Sequence, residues 1–400
     1  MTRQKRPTAT NGTYTGRAAN EKSSGLISKG SMDIPFLLLT LLLTAMGLAM
    51  LFSASFPFAL YQYDDAYFII KRQAFYAVLG LVAMFAVARL NYQVWRGTAK
   101  ILLCLSFFLL TLVIIPGVGL TVNRATRWLG IPNVFTFQPS EVAKLAVIIY
   151  FANSISKKKE KMLTFREGVW PYLLILLAIS VLMLLEPHLS GTILIVGTGI
   201  IMMVVGGIQN WLVAAGFGGV GLLAVLYVKA VEKGIISYGA SRINMWHDPW
   251  IDTTDEGYQM VQSLIAIGSG GLLGVGFGRS RQKFLYLPER HNDFIFAVAA
   301  EELGLIGACI IMLVFALLII RGFWIALHAK DRFGALLVVG IMTHLGLQTF
   351  LNIAVVSGLV PATGISLPFF SYGGTALALQ LVEMGIVLSV SRQIPAPRNG

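Results

Sequence analysis

Residues 294–320 read FIFAVAAEELGLIGACIIMLVFALLII. The run is 27 residues long, and its only charges are the adjacent Glu301 and Glu302. A helix of that length is roughly 40 Å long, against a bilayer hydrocarbon core of about 30 Å. The run therefore reads as a membrane-spanning helix. Comparable apolar runs occur at 34–55, 68–88, 99–116, 139–156, 169–186, 191–207, 211–231, 334–356 and 372–391. The composition agrees, with 56% hydrophobic and 12% charged residues, where a soluble domain carries about 25% charged. The fold class expected is all-α: a polytopic integral membrane protein with ten transmembrane helices.

An even number of spans puts both termini on one side. With the termini cytoplasmic, 19 of the 31 Lys and Arg fall in inside segments, as the positive-inside bias requires. The clusters are Arg89, Arg96 and Lys100, then Lys157, Lys158, Lys159, Lys161 and Arg166, then Arg321, Lys330 and Arg332. The net charge of +12 is explained by this topology and does not point to nucleic acid. Residues 1–32 read as a polar, basic, disordered cytoplasmic tail with no cleavable signal pattern. Residues 33–392 form the membrane domain and 393–400 a short cytoplasmic tail. Cys104 and Cys309 lie in separate apolar runs and read as buried, inert thiols.

Three external segments are unusual: 117–138, 232–293 and 357–371. Each mixes Gly, Pro, aromatics and charge, and such backbone survives at membrane depth only where protein or a wet cavity covers it. Within the long loop, 257–278 is apolar but interrupted by six glycines between Gly268 and Gly278. It reads as a re-entrant or interfacial helix followed by a glycine turn, with a full extra span as the alternative. Glycine here serves bending or close packing; the Lys-Ser/Thr of a phosphate-binding P-loop is missing.

Ionisable residues inside spans face partners or cavities. Glu141 and Lys144 are three apart and share a helix face, which suits a mutual clamp. Glu301 and Glu302 point about 100° apart and so serve different ends. Gln380 and Glu383 share a face of the last span. His344, Gln348 and Asn352 repeat every four residues, a polar stripe suited to helix packing. No His-x-x-x-His or Cys-x-x-Cys pair and no Gly-x-Ser-x-Gly elbow occurs. No cofactor is obligatory on this reading, and a divalent cation, Mg or Mn, stays compatible with an oxygen-rich site.

Asp293 stands at the external end of the 294–320 run, after Glu289, Arg290 and His291. Two readings compete on physical grounds. Asn292 or Asp293 caps the helix N-terminus, or Asp293 is a general base at the membrane–water boundary. In the second, Glu289 raises its pKa and Arg290 or His291 lowers it. Arg279, Arg281, Lys283 and Arg290 lie close upstream, suited to anionic headgroups or to a diphosphate.

Four stretches resemble the SEDS (shape, elongation, division and sporulation) family. They are ATRWLGIPNVFTFQPSEVAKLA (125–146), EPHLSGT (186–192), the region 257–304 ending LPERHNDFIFAVAAEELG, and NIAVVSGLVPATGISLPFFSYGG (352–374). The last is closer in wording to division-type (FtsW-like) than to elongation-type (RodA-like) members. The resemblance implies a ten-helix fold in the bacterial cytoplasmic membrane. It implies a peptidoglycan glycosyltransferase that polymerises lipid II, serves septal wall synthesis, and works with a class B penicillin-binding protein among divisome proteins. It places the family's essential aspartate at Asp293. Two positions depart from the family pattern: His188 stands where Asp is common, and Thr363 where division-type members often have Lys.

The expected site thus has Asp293 as base, with Glu289, Arg290 and His291 to tune or position it. Arg127, Gln138, Arg242, Lys283 and Ser371 are further substrate-binding candidates from the external loops. Two rivals remain from the residues alone. A lipid II flippase would use the intramembrane Glu141, Lys144, Glu301 and Glu383. A noncatalytic activator of a partner synthase would dock through basic loops such as 156–162.

Overall fold

The computed structural model describes residues 30–394, apart from 123–124, 132–134, 210, 215, 217, 219–228, 230–245 and 254–256. Arg242, most of the span expected at 211–231 and most of both tails lie outside the described residues. The helices are α1 (Ile34–Tyr63), α2 (Phe68–Arg89), α3 (Val94–Ile114), α4 (Pro139–Lys158), α5 (Trp170–Leu185) and α6 (Leu189–Val205). They continue with α7 (Tyr258–Gly270), α8 (Ile295–Leu327), α9 (Arg332–Val356) and α10 (Gly374–Ser391). Seven helical segments among the described residues are long and apolar enough to cross a membrane, and α6 is a shorter apolar helix. In α9 and α10, 61% of the most apolar stretch is buried, against 28% in α2 and α3. The former pair is therefore the centre of the bundle, and the latter pair faces lipid.

Two expectations change. The segment after α3 is not irregular: β1 (Leu120–Val122), β2 (Ala125–Ile131) and β3 (Phe135–Phe137) make an antiparallel sheet in that order. Thr126, Trp128 and Phe137 are residue types that favour pleated backbone, and a small sheet pairs amides that a loop would leave unmet. The cysteines are also not buried. Cys104 and Cys309 are exposed among the outward Ile101, Leu105, Ile306 and Ile310, so they face the lipid.

One end of the bundle is clasped shut. Asp331 caps α9 through Gly334 N at 2.8 Å and also accepts from Tyr92 Oη at 3.1 Å, Gln93 Nε2 at 2.7 Å and Arg96 Nη2 at 3.1 Å. Asp33 caps α1 through Phe36 N and is gripped by Arg321, with Nη2–Oδ2 at 2.7 Å. Arg332 donates to the Gly206 carbonyl at 2.6 Å. Most of the basic loop residues lie at this end.

The opposite end is shaped by a break in α8. Gly304 has φ 68° and ψ −172°, a left-handed backbone that suits glycine. A break frees carbonyls and amides that must be satisfied inside the protein. The glycine run after α7 supplies them. Val275 N and Gly276 N donate to the Glu301 and Glu302 carbonyls at 3.0 Å each, and Leu305 N and Ile306 N donate to the Gly271 and Leu272 carbonyls. Gly274 has φ +80°, and a Cβ there would overlap the Glu302 carbonyl. At 13 residues, α7 is about 20 Å long. That is too short for a span, which settles the choice between interfacial helix and extra crossing.

Glu301 and Glu302 then hold the chain that follows. Glu301 accepts from Ser280 Oγ, and from Arg281 N at 2.9 Å. Glu302 accepts from Ser53 Oγ at 2.6 Å and pairs with Lys283 Nζ at 3.0 Å. The Glu302 and Lys283 side chains are almost fully buried. Removing one member of such a pair strands a charge and costs about 3–5 kcal/mol, whereas replacing both by apolar groups is often neutral. Thermal unfolding in detergent should therefore show Glu302→Ala and Lys283→Ala strongly destabilised. The double change Glu302→Leu with Lys283→Met should recover most of the loss. Equal midpoints for single and double variants would contradict this account.

Candidate functional site

Asp293 sits between the clamped loop and α8, and its backbone is held from several directions. Glu289, left-handed at φ 49°, closes a tight turn: its carbonyl accepts from Asn292 N at 2.9 Å and Phe294 N at 3.2 Å. Asn352 of α9 donates to the Asp293 carbonyl at 2.7 Å and the Ile365 carbonyl at 2.6 Å. Ser371 donates to the Asn292 carbonyl and accepts from Leu367 N, both at 2.7 Å. Tyr372 N donates to the His291 carbonyl at 2.8 Å. Gln348 ties the Ser366 carbonyl at 3.0 Å. The polar stripe on α9 is thus a mount for the site loops, with helix packing only part of its work.

The carboxyl itself is unengaged. Among the described residues none donates a hydrogen bond to it, and the α8 N-cap is Phe294 with no side-chain cap. The capping reading is thereby removed. The carboxyl faces the 357–371 loop at Gly364, where a Cβ would lie 3.3 Å from Oδ2. Burial and the charge of Glu289 push its pKa up to about 7, and Arg127 pulls it down. Such a group is near half ionised at neutral pH, which suits a general base.

Of the two roles expected for Arg290 and His291, their contacts suit positioning. His291 stacks on Phe58 of α1 with ring centroids 4.8 Å apart, and the Arg290 guanidinium lies 5.0 Å over the same ring. Burial and Arg290 depress His291 to about 4, so its imidazole is neutral. These two dock the loop on α1. The cation that acts on Asp293 is Arg127, from β2. Its guanidinium also donates to the Glu186 carbonyl at 3.3 Å and to the Pro187 carbonyl.

That turn between α5 and α6 joins the rim. Gln138 Nε2 lies 3.5 Å from His188 Nδ1, and Ser190 donates to the Thr363 carbonyl. The segment that carries His188 thus touches, through Ser190, the loop that carries Thr363, the other departure from the family pattern. Burial, Arg127 and Lys144 depress His188 to about 3, so it is neutral. Glu186 is 2% exposed with neither carboxyl oxygen partnered. Burial raises it to about 8 against the pull of Arg127. Sequence reasoning passed over Glu186 and over Gln73, a buried α2 residue that bonds the Ser371 carbonyl and Gly373 N. Neither carried a local signal beyond being polar beside apolar neighbours.

Other candidates fall elsewhere. Lys283 is locked on Glu302, so it is an anchor rather than a substrate contact. Ser371 frames the Asp293 loop. Glu141 and Lys144 do pair, at 2.7 Å. Beneath the 366–373 loop, Glu141, His344, Gln348, Gln380 and Glu383 line a cavity of about 40 Å³. That is space for about two or three waters. No three His, Cys, Asp or Glu side chains among the described residues converge as a metal ion needs.

Residues 34–395 match the cell cycle protein family FTSW_RODA_SPOVE. Stage V sporulation protein E of Bacillus subtilis is 43% identical over 91% of this chain and 98% of its own. A probable peptidoglycan glycosyltransferase FtsW of Geobacter sulfurreducens is 42% identical over 90% of this chain and 95% of its own. Among solved structures, a chain from the work "Structural coordination of polymerization and crosslinking by a peptidoglycan synthase complex" superposes with a TM-score of 0.76. It is 28% identical and covers 90% of this chain and 98% of its own. The rod shape determining protein RodA of Thermus thermophilus gives 0.66 at 28% identity, covering 92% of this chain and 99% of its own. The chain belongs to the FtsW/RodA/SpoVE family of multi-pass membrane proteins, the SEDS proteins, and is FtsW-like within it.

Proposed function

We infer that this chain is a peptidoglycan glycosyltransferase that polymerises lipid II during septal wall synthesis, with Asp293 as general base. The observation that carries the base assignment is the contrast at Asp293: a backbone clamped by Asn352 and Ser371, and a carboxyl to which no described residue donates a hydrogen bond. Relatives at 42–43% identity bear the names FtsW and stage V sporulation protein E, which supports the septal setting. The reaction runs at the outer face of the bacterial cytoplasmic membrane, with both termini cytoplasmic. The clasped, basic end is then the inner end.

The acceptor sugar's 4-hydroxyl loses its proton to the Asp293 carboxylate. Its oxygen attacks the anomeric carbon of the donor, and the bond from that carbon to the lipid diphosphate breaks with its electron pair leaving on the diphosphate. Attack opposite the leaving group inverts the anomeric centre. The diphosphate needs positive charge nearby, which arginines of the site end supply. A class B penicillin-binding protein that crosslinks the product is the partner. A solved structural neighbour comes from a complex that couples polymerization and crosslinking.

A flippase would have to open the inner end. Asp331 there accepts four hydrogen bonds from the α2–α3 loop and the starts of α3 and α9, and Asp33 grips Arg321. Such a closed end favours one-sided chemistry. Headgroup translocation in sealed vesicles that is unaffected by Asp293→Asn would favour the flippase instead.

Two measurements test the base. Folded Asp293→Asn should polymerise lipid II about 10²–10⁴-fold more slowly than wild type, and activity within a few-fold would overturn the assignment. The carboxylate form is the active one, so wild-type activity should fall as pH drops below about 7. Glu289→Gln removes a like charge that raises this pKa, so its acid limb should move to lower pH. An unmoved limb in the pH–rate profile would assign that ionisation to another group.

A further inference from the structure

The segment 271–286 presents an unusual face. Leu272, Leu273, Phe277, Phe284, Leu285 and Tyr286 are all exposed, Leu273 to 80%. Arg279 and Arg281 are exposed among them, and neither joins an ion pair among the described residues. Ser280 between them is buried, its hydroxyl on Glu301 and its amide on Glu302 at 3.3 Å. With Ser280 turned inward, both guanidinium-bearing side chains lie on the outer side of one turn. Lys283 is already neutralised by Glu302 and adds nothing to that outer charge.

The depth of this face follows from α8. Arg321, paired with Asp33, marks the inner boundary. About 20 residues of helix cross a hydrocarbon core of about 30 Å, and 20 residues back from Arg321 is Glu301. Leu305 and Ile306, exposed and hydrogen-bonded to the Gly271 and Leu272 carbonyls, lie just inside the hydrocarbon. Leu272 and Leu273 therefore meet acyl chains. The chain then climbs past Glu301 and Glu302, which puts Arg279 and Arg281 in the outer headgroup layer with Phe277, Phe284 and Tyr286 around them. Aromatic rings and cations over an apolar foot are the composition of a segment lying in the membrane interface.

The occupant must be anionic, must arrive within the outer leaflet, and must bring enough charge for two arginines. A phosphodiester headgroup carries one negative charge; a diphosphate ester carries more. We propose that 271–286 is the edge at which a lipid-borne diphosphate enters from the outer leaflet, its diphosphate taken by Arg279 and Arg281 and the first part of its chain laid on Leu272, Leu273 and Phe277. This rests on the lipid-linked substrate of the preceding subsection. Only twelve residues separate Arg281 from Asp293, and Glu302 pins the segment between them at Lys283. The edge and the base are thus parts of one anchored strap, and these two arginines are positioning residues that hand the substrate on to Asp293.

The test uses the full chain in phosphatidylcholine nanodiscs. Undecaprenyl diphosphate should bind Arg279→Gln/Arg281→Gln about tenfold or more weakly than wild type, and the KM for lipid II should rise with kcat within about twofold. Arg279→Lys/Arg281→Lys, which keeps the charge, should restore most of the affinity. Asp293→Asn should bind undecaprenyl diphosphate as wild type does while failing to polymerise, which separates failure of this edge from failure of the base. Competition by an equal mole fraction of phosphatidylglycerol would make the edge a general anionic-lipid anchor and overturn the proposal. Equal affinity for inorganic pyrophosphate would overturn its lipid-borne character, and an unchanged KM would overturn it outright.

Discussion

The break in α8 at Gly304 is the constraint on which the site end depends. A continuous helix would keep the carbonyls of Glu301 and Glu302 inside its own ladder. The break turns them outward at membrane depth, where no water can meet them. The backbone after α7 meets them instead, and it approaches closely enough only because Gly274 has no side chain in the way. The two carboxylates beside the break then fix the chain that leads to Asp293: Glu301 through the backbone of the 280–282 turn, Glu302 through Lys283. Burying this much charge is poor value as stability alone. What it secures is position, since the strap cannot slide without stranding a charge or an amide.

Position is what the site chemistry requires. Asp293 reaches its place with its main chain fully determined and its side chain uncommitted. Its neighbours divide into groups that act on the carboxyl and groups that act on the frame. Glu289 and Arg127 oppose one another electrostatically, and burial tips the balance toward a near-neutral pKa. Arg290, His291, Asn352, Ser371 and Gln348 hold the frame. A carboxyl whose frame is held by several separate chain segments loses little geometry when a ligand arrives, and such preorganisation is where much of catalytic efficiency lies.

The membrane class and nine of the ten expected helices are legible in the sequence, because long apolar runs leave few alternatives; Asp293 stands out only through the motif around it, since the residues alone leave cap and base open. The Glu141–Lys144 pair was legible too: spacing of three on a helix leaves the two side chains adjacent. Other features were not. The β1–β3 sheet escapes the sequence reading because its strands are short and Gly117, Gly119 and Pro132 lie beside and between them. Lys283 was read as a substrate contact because its partner, Glu302, lies 19 residues on and across a helix break. Arg127 was underweighted as a modulator because it meets Asp293 only once the hairpin folds over the α5–α6 turn. Each miss involves a tertiary partner that neither periodicity nor motif spacing encodes.

The two ends of the molecule also differ in what their charges do. At the clasped end, two carboxylates are saturated: Asp331 accepts from four donors, and Asp33 caps a helix and grips an arginine at once. At the site end, Glu301 and Glu302 are saturated too, but two carboxyls are left short of partners: Asp293 accepts from no described residue, and Glu186 is buried with both oxygens unpartnered. Saturated charge resists rearrangement, because every displacement breaks several bonds together. Unsaturated carboxyls at a rim are costly unless something else completes them. A transporter would need exchangeable partners at both ends. Here the capacity to take new hydrogen bonds lies at the Asp293 end, an asymmetry that suits chemistry at one end of the molecule.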